Sequence, residues 1–354
     1  MQKRIAYLDV AKAIAIVAVL LGHVGGAPDV VGSLCYSFHM PLFFILSGYF
    51  FKPAVRCDAA FVRKSARALL VPYAVTAGIV IVERLLVGVL RGDAVGGLHD
   101  AATMVVAALY GSGDFVPSVL SDWVVPIGAI WFLLALFWGR LFLAAAQGTR
   151  APVVIVVMLF AASFLMVDES LWLPFGIQTG MGAVLFLYVG QRVRELGLDA
   201  PGAISPVLWL AMLLVWGYCI LIGGNIFMVN NSFDDGLIDV IGAICGSMCV
   251  IVAARRLETA LPRVAAPLAA IGANTLPIFC MHLVEMQCVN WDWVLTHVES
   301  AGLPGPLWLW WFVLRCAIVA AMVGALWLMP RVLSGVYFRS RRLPQATTGV
   351  EGRR

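Results

Sequence analysis

His23 follows Lys12 by eleven positions in the apolar run AKAIAIVAVLLGH, so a fixed positive charge and a titratable ring share one helix. At 100° per residue those steps end about 20° past three full turns, which sets the two groups on one face roughly 16 Å apart. Asp9 falls near the same stripe. An imidazole, with an ordinary pKa of about 6.5, accepts a proton from a hydroxyl, while a cation neutralises and orients an anion. Ionisable groups are costly inside a membrane span, so the stripe is expected to face a cavity or a partner helix. His282 and Glu285, three positions apart, form a second candidate pair on one helix face, open to a packing or registry role as well as to substrate binding. His39, just before Pro41, is placed so that a return through the membrane brings it toward His23. His99 and His297 are read as solvated loop residues.

The elements that position these groups follow from composition. Hydrophobic residues make up 62% of the 354-residue chain and charged residues 12%, with a mean hydropathy of +0.95, which excludes a soluble domain. The expected fold is all-α, a polytopic integral membrane protein. Windows of about 20 apolar residues place about ten spans. They lie near Ala11–Gly26, Ser37–Phe51, Leu69–Val89, Ile127–Ala146, Pro152–Val167, Ile177–Gly190, Ile204–Ile222, Leu237–Ala254, Leu268–Val289 and Leu307–Val332. One transmembrane domain over 1–338 is followed by a basic tail, 339–354, expected to be disordered and cytoplasmic.

Charge asymmetry sets the orientation. Lys3, Arg4, Lys52, Arg56, Arg63, Lys64, Arg67, Arg150, Arg192, Arg194, Arg255, Arg256 and Arg263 fall on one side, as does the tail run from Arg339 to Arg342. The opposite loops carry mostly Asp and Glu, Arg91 being the main exception. The positive-inside rule then gives cytoplasmic N- and C-termini and an even number of spans. This asymmetry accounts for the net charge of +4, and no basic stripe with interleaved aromatics points to nucleic acid. The first apolar run carries Lys12 and His23 and reads as a retained anchor rather than a cleaved signal.

The eight cysteines lack zinc-like spacing. Cys245 and Cys249 read as small core residues, and no metal is expected. Glu83 and Arg84, adjacent on a helix, are expected to point apart, and Arg315 is expected to need a partner, with Glu285 available. The stretch from Leu90 to Pro126 is the longest exterior connection, with an apolar segment, MVVAALY, too short to span. NIFMVNNSFDD and VNWDWVLTHVE are further exterior segments, and Trp291 and Trp293 read as interfacial anchors. Ser47 and Gly48 in LSGYF suit close helix packing better than acyl-serine chemistry.

Five landmarks in order resemble the bacterial membrane-bound acyltransferase family 3: Lys12-x10-His23, FHMPLFFILSGYFF at 38–51, FVRKSARALLVP at 61–72, GAIWFLLALF at 128–137 and TLPIFCMHLV at 275–284. The likeness is closest to the branch that O-acetylates exopolysaccharides and fucose-type sugars. Lysine stands here at positions 12 and 64, where relatives commonly carry arginine; it keeps the charge and loses the bidentate fork.

The resemblance implies a multi-pass protein of the bacterial inner membrane that moves an acyl group, expected to be acetyl, from cytoplasmic acyl-CoA to a hydroxyl of a cell-surface or lipid-linked glycan. Acyl-CoA is then a co-substrate, and no permanently bound cofactor is expected. Lys12, Arg63, Lys64 and Arg67 would hold the CoA phosphates, although basic residues at a membrane edge also serve topology and anionic lipid. The pantetheine arm is thin, largely uncharged and about as long as the Lys12–His23 rise. His23 is the candidate general base; His39 would steady an oxyanion, assist proton transfer or cap its helix. Trp131, with Phe132, would line the acyl channel or pack, and His282 and Glu285 would bind the acceptor. Direct transfer is favoured over a transient acyl-enzyme because no activated Ser or Cys is evident, with an acyl-imidazole at His23 as the open alternative. Membrane lipid and polysaccharide-assembly enzymes are the expected partners. The rival readings are a transporter or flippase of a small molecule or acyl-modified sugar, and a membrane sensor or scaffold.

Overall fold

The computed structural model describes residues 5–52, 56–114, 120, 123–166, 172–223 and 226–338. Helices α1 (Ala6–Gly22), α2 (Asp29–Tyr36), α3 (His39–Tyr49), α4 (Ala59–Leu90) and α5 (Ala94–Tyr110) come first. They are followed by α6 (Trp131–Gln147), α7 (Pro152–Leu165), α8 (Ile177–Leu196) and α9 (Pro206–Leu221). A hairpin of β1 (Ile226–Phe227) and β2 (Ser232–Phe233) precedes α10 (Leu237–Ala260), α11 (Pro262–Gly272) and α12 (Thr275–Cys288). The chain closes with α13 (Trp291–Ser300), α14 (Leu307–Leu328) and α15 (Arg331–Tyr337).

Four of these elements are long and apolar enough to cross a membrane: the α2–α3 stretch Asp29–Tyr49, α4, α10 and α14. The pair α11–α12 makes up to five, but it is bent by 63°. Each of the ten apolar windows falls on a helix or helix pair; the shorter apolar helices α6, α7 and α9 have 14–17 residues and rise only about 21–25 Å. Two windows are corrected in outline. The second begins at Asp29, and the ninth is not one straight helix, because the chain breaks at Ala273–Asn274.

The contacts between helix ends fix which ends lie together. Tyr7 at the start of α1 and Tyr49 at the end of α3 both donate hydrogen bonds to Asp199, beyond α8. Arg255, near the end of α10, donates to the Asp199 carbonyl at 2.5 Å. Phe51 meets Phe61 with ring centroids 5.7 Å apart, bringing the start of α4 to the same end. At the other end, Arg84 of α4 donates to the carbonyl and side-chain oxygens of Gln287 on α12 at 2.9 and 3.1 Å. Successive long helices thus alternate in direction, and the basic helix ends gather on one side.

Helix α1 occupies the middle of this assembly, packed on α2, α3, α10, α11, α12 and α14. Its small residues Ala11, Ala13, Ala15 and Ala18 are buried and let those neighbours approach. Glycine does the same between α3 and α8: a Cβ at Gly48 would overlap the Leu187 backbone, and one at Gly190 the Ile45 carbonyl. That is the small-residue packing read from LSGYF.

MVVAALY is part of a 17-residue helix, α5, that lies against α4 and is still shorter than the helices that qualify as spans. Two further expectations change. His99 and His297 are exposed, yet they sit on helices α5 and α13 rather than in loops. Glu83 and Arg84 do not diverge: the carboxylate meets the guanidinium at 3.7 Å, because both side chains are long enough to fold back along the helix. The tail 339–354 lies outside the described residues, as do Ser121 and Asp122 of the Leu90 to Pro126 connection.

Gly48→Ala is expected to lower stability by about 1–3 kcal/mol, since backbone must move to admit the methyl. Gly78→Ala on α4, where a Cβ meets nothing within 4 Å, is expected to be neutral or to gain up to about 1 kcal/mol from helix propensity. Unfolding midpoints of the two detergent-purified variants check the contrast.

Candidate active site

Two histidines far apart in sequence meet at the acidic-loop end. The rings of His23, at the end of α1, and His282, on α12, lie edge to face with centroids 5.1 Å apart. His23 Nδ1 lies 2.8 Å from the Val19 carbonyl, and because a carbonyl only accepts, Nδ1 carries the hydrogen. His282 Nδ1 donates to Glu285 Oε2 at 2.9 Å, and both residues are fully buried. In the neutral rings the second nitrogen, Nε2, is the proton acceptor, and His282 Nε2 has no hydrogen-bond partner.

Arg315 of α14 holds this arrangement together. Its Nε donates to Glu285 Oε1 at 3.1 Å, and one terminal nitrogen donates to the carbonyls of His23 at 2.5 Å and Leu20 at 3.4 Å. Trp291 and Trp311 cover the guanidinium, with their ring centroids 5.3 and 5.4 Å away. Trp291 therefore packs on a buried cation, whereas Trp293 is exposed.

His39 joins the cluster through Tyr36. The Tyr36 ring stands 6.4 Å from that of His23 and 5.3 Å from that of His39, which is buried and donates from Nδ1 to the Cys35 carbonyl at 2.5 Å. Phe227 of the hairpin lies over Tyr36 at 5.1 Å, so the NIFMVNNSFDD segment forms part of the cover. Trp131, at the start of α6, is buried against Phe132, which in turn packs on Phe44 and Phe279.

The remaining candidates lie toward the basic end. Lys12 is ion-paired with Asp9 at 2.8 Å and stands 5.4 Å from the Phe50 ring. Arg63, Lys64 and Arg67 are exposed in the first turns of α4. Cations there oppose the helix dipole, so helix stability does not explain them. Arg140 of α6 adds a further cation 5.6 Å from the Phe61 ring. The histidine cluster and the basic end are therefore two separate regions, joined along α1. Among the described residues no group of three or more His, Cys, Asp or Glu side chains could hold a metal ion.

A family model described as an acyltransferase domain matches residues 5–329, nearly the whole chain. The chain belongs to the acyltransferase 3 family. No curated protein and no solved structure matches it. This acyltransferase is a helical membrane protein, and the match spans both the histidine cluster and the basic end.

Three residues of these two clusters are absent from the sequence reading. Tyr36 carries no signal in the chain. Arg140 is hidden inside an apolar helix, although an intramembrane cation is itself a signal. Asp199 looks like an ordinary loop carboxylate until Tyr7, Tyr49 and Arg255 are seen around it.

Arg315→Gln leaves Glu285 buried without its cation and is expected to cost about 3–5 kcal/mol. The double variant Glu285→Gln/Arg315→Gln removes both charges and is expected to regain part of that loss without regaining acyl transfer. Thermal unfolding and transfer assays on both variants read this out, and strictly additive stability losses would contradict the coupling.

Proposed function

We propose that this family member is an O-acetyltransferase of the bacterial inner membrane, with about ten spans and both termini in the cytoplasm. It transfers an acyl group from cytoplasmic acyl-CoA to a hydroxyl of a cell-surface or lipid-linked glycan. The observation that carries this reading is the facing pair of imidazoles, His23 and His282, each with Nδ1 committed to an acceptor.

In this mechanism His23 Nε2 takes the proton of the acceptor hydroxyl as its oxygen attacks the thioester carbonyl. The new C–O bond forms, the C–S bond breaks, and the proton passes from His23 to the departing CoA sulfur. His282, fixed by Glu285 through Nδ1, borders the acceptor site beside His23, and His39 with Tyr36 completes the polar wall. Trp131 borders the acyl group. At the basic end Arg63, Lys64 and Arg67 hold the CoA phosphates, with Lys12 partly neutralised by Asp9 at the entrance to the stripe. The buried polar groups and the hairpin over Tyr36 would keep water from hydrolysing the thioester.

His23→Ala is expected to reduce transfer by about 10²–10⁴-fold. The acetyl content of surface polysaccharide is measured in a deletion strain complemented with wild type or the variant, alongside CoA thiol release by isolated membranes. Full acetylation by a well-expressed His23→Ala protein would remove His23 from the chemistry. Lys12→Ala is expected to raise the KM for acyl-CoA while the protein remains in the membrane; an unchanged KM would return Lys12 to a topological role.

A further inference from the structure

Helices α9 and α10 touch closely along one half of their length and part along the other. Near the histidine end, a Cβ at Gly242 would overlap Cys219 Sγ, and one at Gly246 would press on the Trp216 indole, so the two helices are in contact there. Toward the basic end they diverge around a cavity of about 630 Å³. Trp209, Leu210 and Leu213 of α9 and Cys249, Val252 and Ala253 of α10 form its apolar walls. From Cys249 to Arg256 the wedge runs about 10 Å along α10, at 1.5 Å per residue.

The mouth of the wedge is cationic. Arg256 lines the cavity and continues into an adjoining one of about 320 Å³ that also borders Arg255 and Thr259. Arg256 is exposed, and its guanidinium has no partner among the described residues, Thr259 bonding only to its carbonyl. Arg255 has a structural role, donating to the Asp199 carbonyl and lying 4.9 Å from the Tyr7 ring. The Asp199 carboxylate is itself occupied by the hydroxyls of Tyr7 and Tyr49. Arg256 is thus the cation left available for a ligand.

The surroundings are those of a lipid-facing surface. Val207, Leu208, Leu210, Leu213 and Leu214 on α9 are all exposed, at 50–79% of their area. We propose that the wedge between α9 and α10 binds an anionic phospholipid, with its phosphate on Arg256 and an acyl chain between the helices. The polarity fits one leaflet: the headgroup lies at the basic end and the chain runs toward the middle of the bilayer. Basic pockets between membrane helices on the cytoplasmic side commonly take anionic headgroups. The cavity volume is in the usual range for a bound small molecule.

Native mass spectrometry of the purified full-length protein, titrated with phosphatidylglycerol or phosphatidylcholine, tests this directly. Wild type is expected to retain phosphatidylglycerol preferentially. Arg256→Gln, a change at an exposed position, is expected to reduce that preference by about fivefold, the worth of one basic residue near an anionic lipid surface. Ala253→Trp, also exposed, fills the wedge while keeping the arginine and is expected to abolish the retained adduct. Equal phosphatidylglycerol retention by wild type and both variants would overturn the site. Displacement of phosphatidylglycerol by palmitoyl-CoA at equal concentration would also overturn it, by identifying the occupant as acyl donor. Neither outcome depends on whether His23 is the base.

Discussion

A guanidinium buried in an apolar interior has to be satisfied on every side, and Arg315 of α14 is satisfied by three other helices at once. Glu285 of α12 supplies the counter-charge, the last carbonyls of α1 accept further hydrogen bonds, and Trp291 of α13 helps Trp311 of α14 to cover the cation. The end of a helix leaves its final carbonyls without intrahelical donors and carries the negative pole of its dipole. A cation placed there meets both needs. Because the Glu285 carboxylate has two oxygens, the one facing away from Arg315 remains for His282 Nδ1. The orientation of His282 and the position of His23 therefore follow from one charge on a fourth element.

A second knot of similar design lies at the opposite end of α1. There the buried group is an anion, Asp199, and its partners are the Tyr7 and Tyr49 hydroxyls, with Arg255 nearby. Between the two knots Gly272 of α11 lies directly against the Asp9 backbone, where no side chain fits. Helix α1 is thus pinned at its start, in its first turns and at its end. Its alanines contribute by size alone, allowing the helices that carry the pins to come close.

Much of this was legible before any coordinates. Continuous apolar runs located the helices, the one-sided distribution of Lys and Arg gathered the basic ends, and the three-residue spacing of His282 and Glu285 put their side chains within reach. Arg315 announced itself as an intramembrane cation in need of a carboxylate, and Glu285 is that carboxylate. What was not legible depends on contacts distant in sequence. The break in the ninth window is invisible to a hydropathy average over some 20 residues, although Gly272, Asn274 and Pro277 mark a helix end and a new start there. The Glu83–Arg84 pair was misread because backbone direction alone was considered, whereas Arg84 is drawn aside to Gln287. Tyr36 is an unremarkable residue until a hairpin and two histidines close around it.

The double pinning of α1 bears on how a two-ended substrate would be used. If a donor is gripped through charge at the basic end and reacts beside His23, the helix between them acts as a ruler, and its length is set by knots that belong to neither end's chemistry. A flexible helix would let a bound donor sit at many depths, each with a different distance to the imidazoles. Productive geometry tolerates little such scatter, because displacement of the reacting atoms by about 1 Å can cost around 10²-fold in rate. Stiffness in α1 is therefore a catalytic requirement under the proposed reaction. It also explains why two buried ion clusters, costly to desolvate and poor sources of net stability, sit at either end of the same short alanine-rich helix.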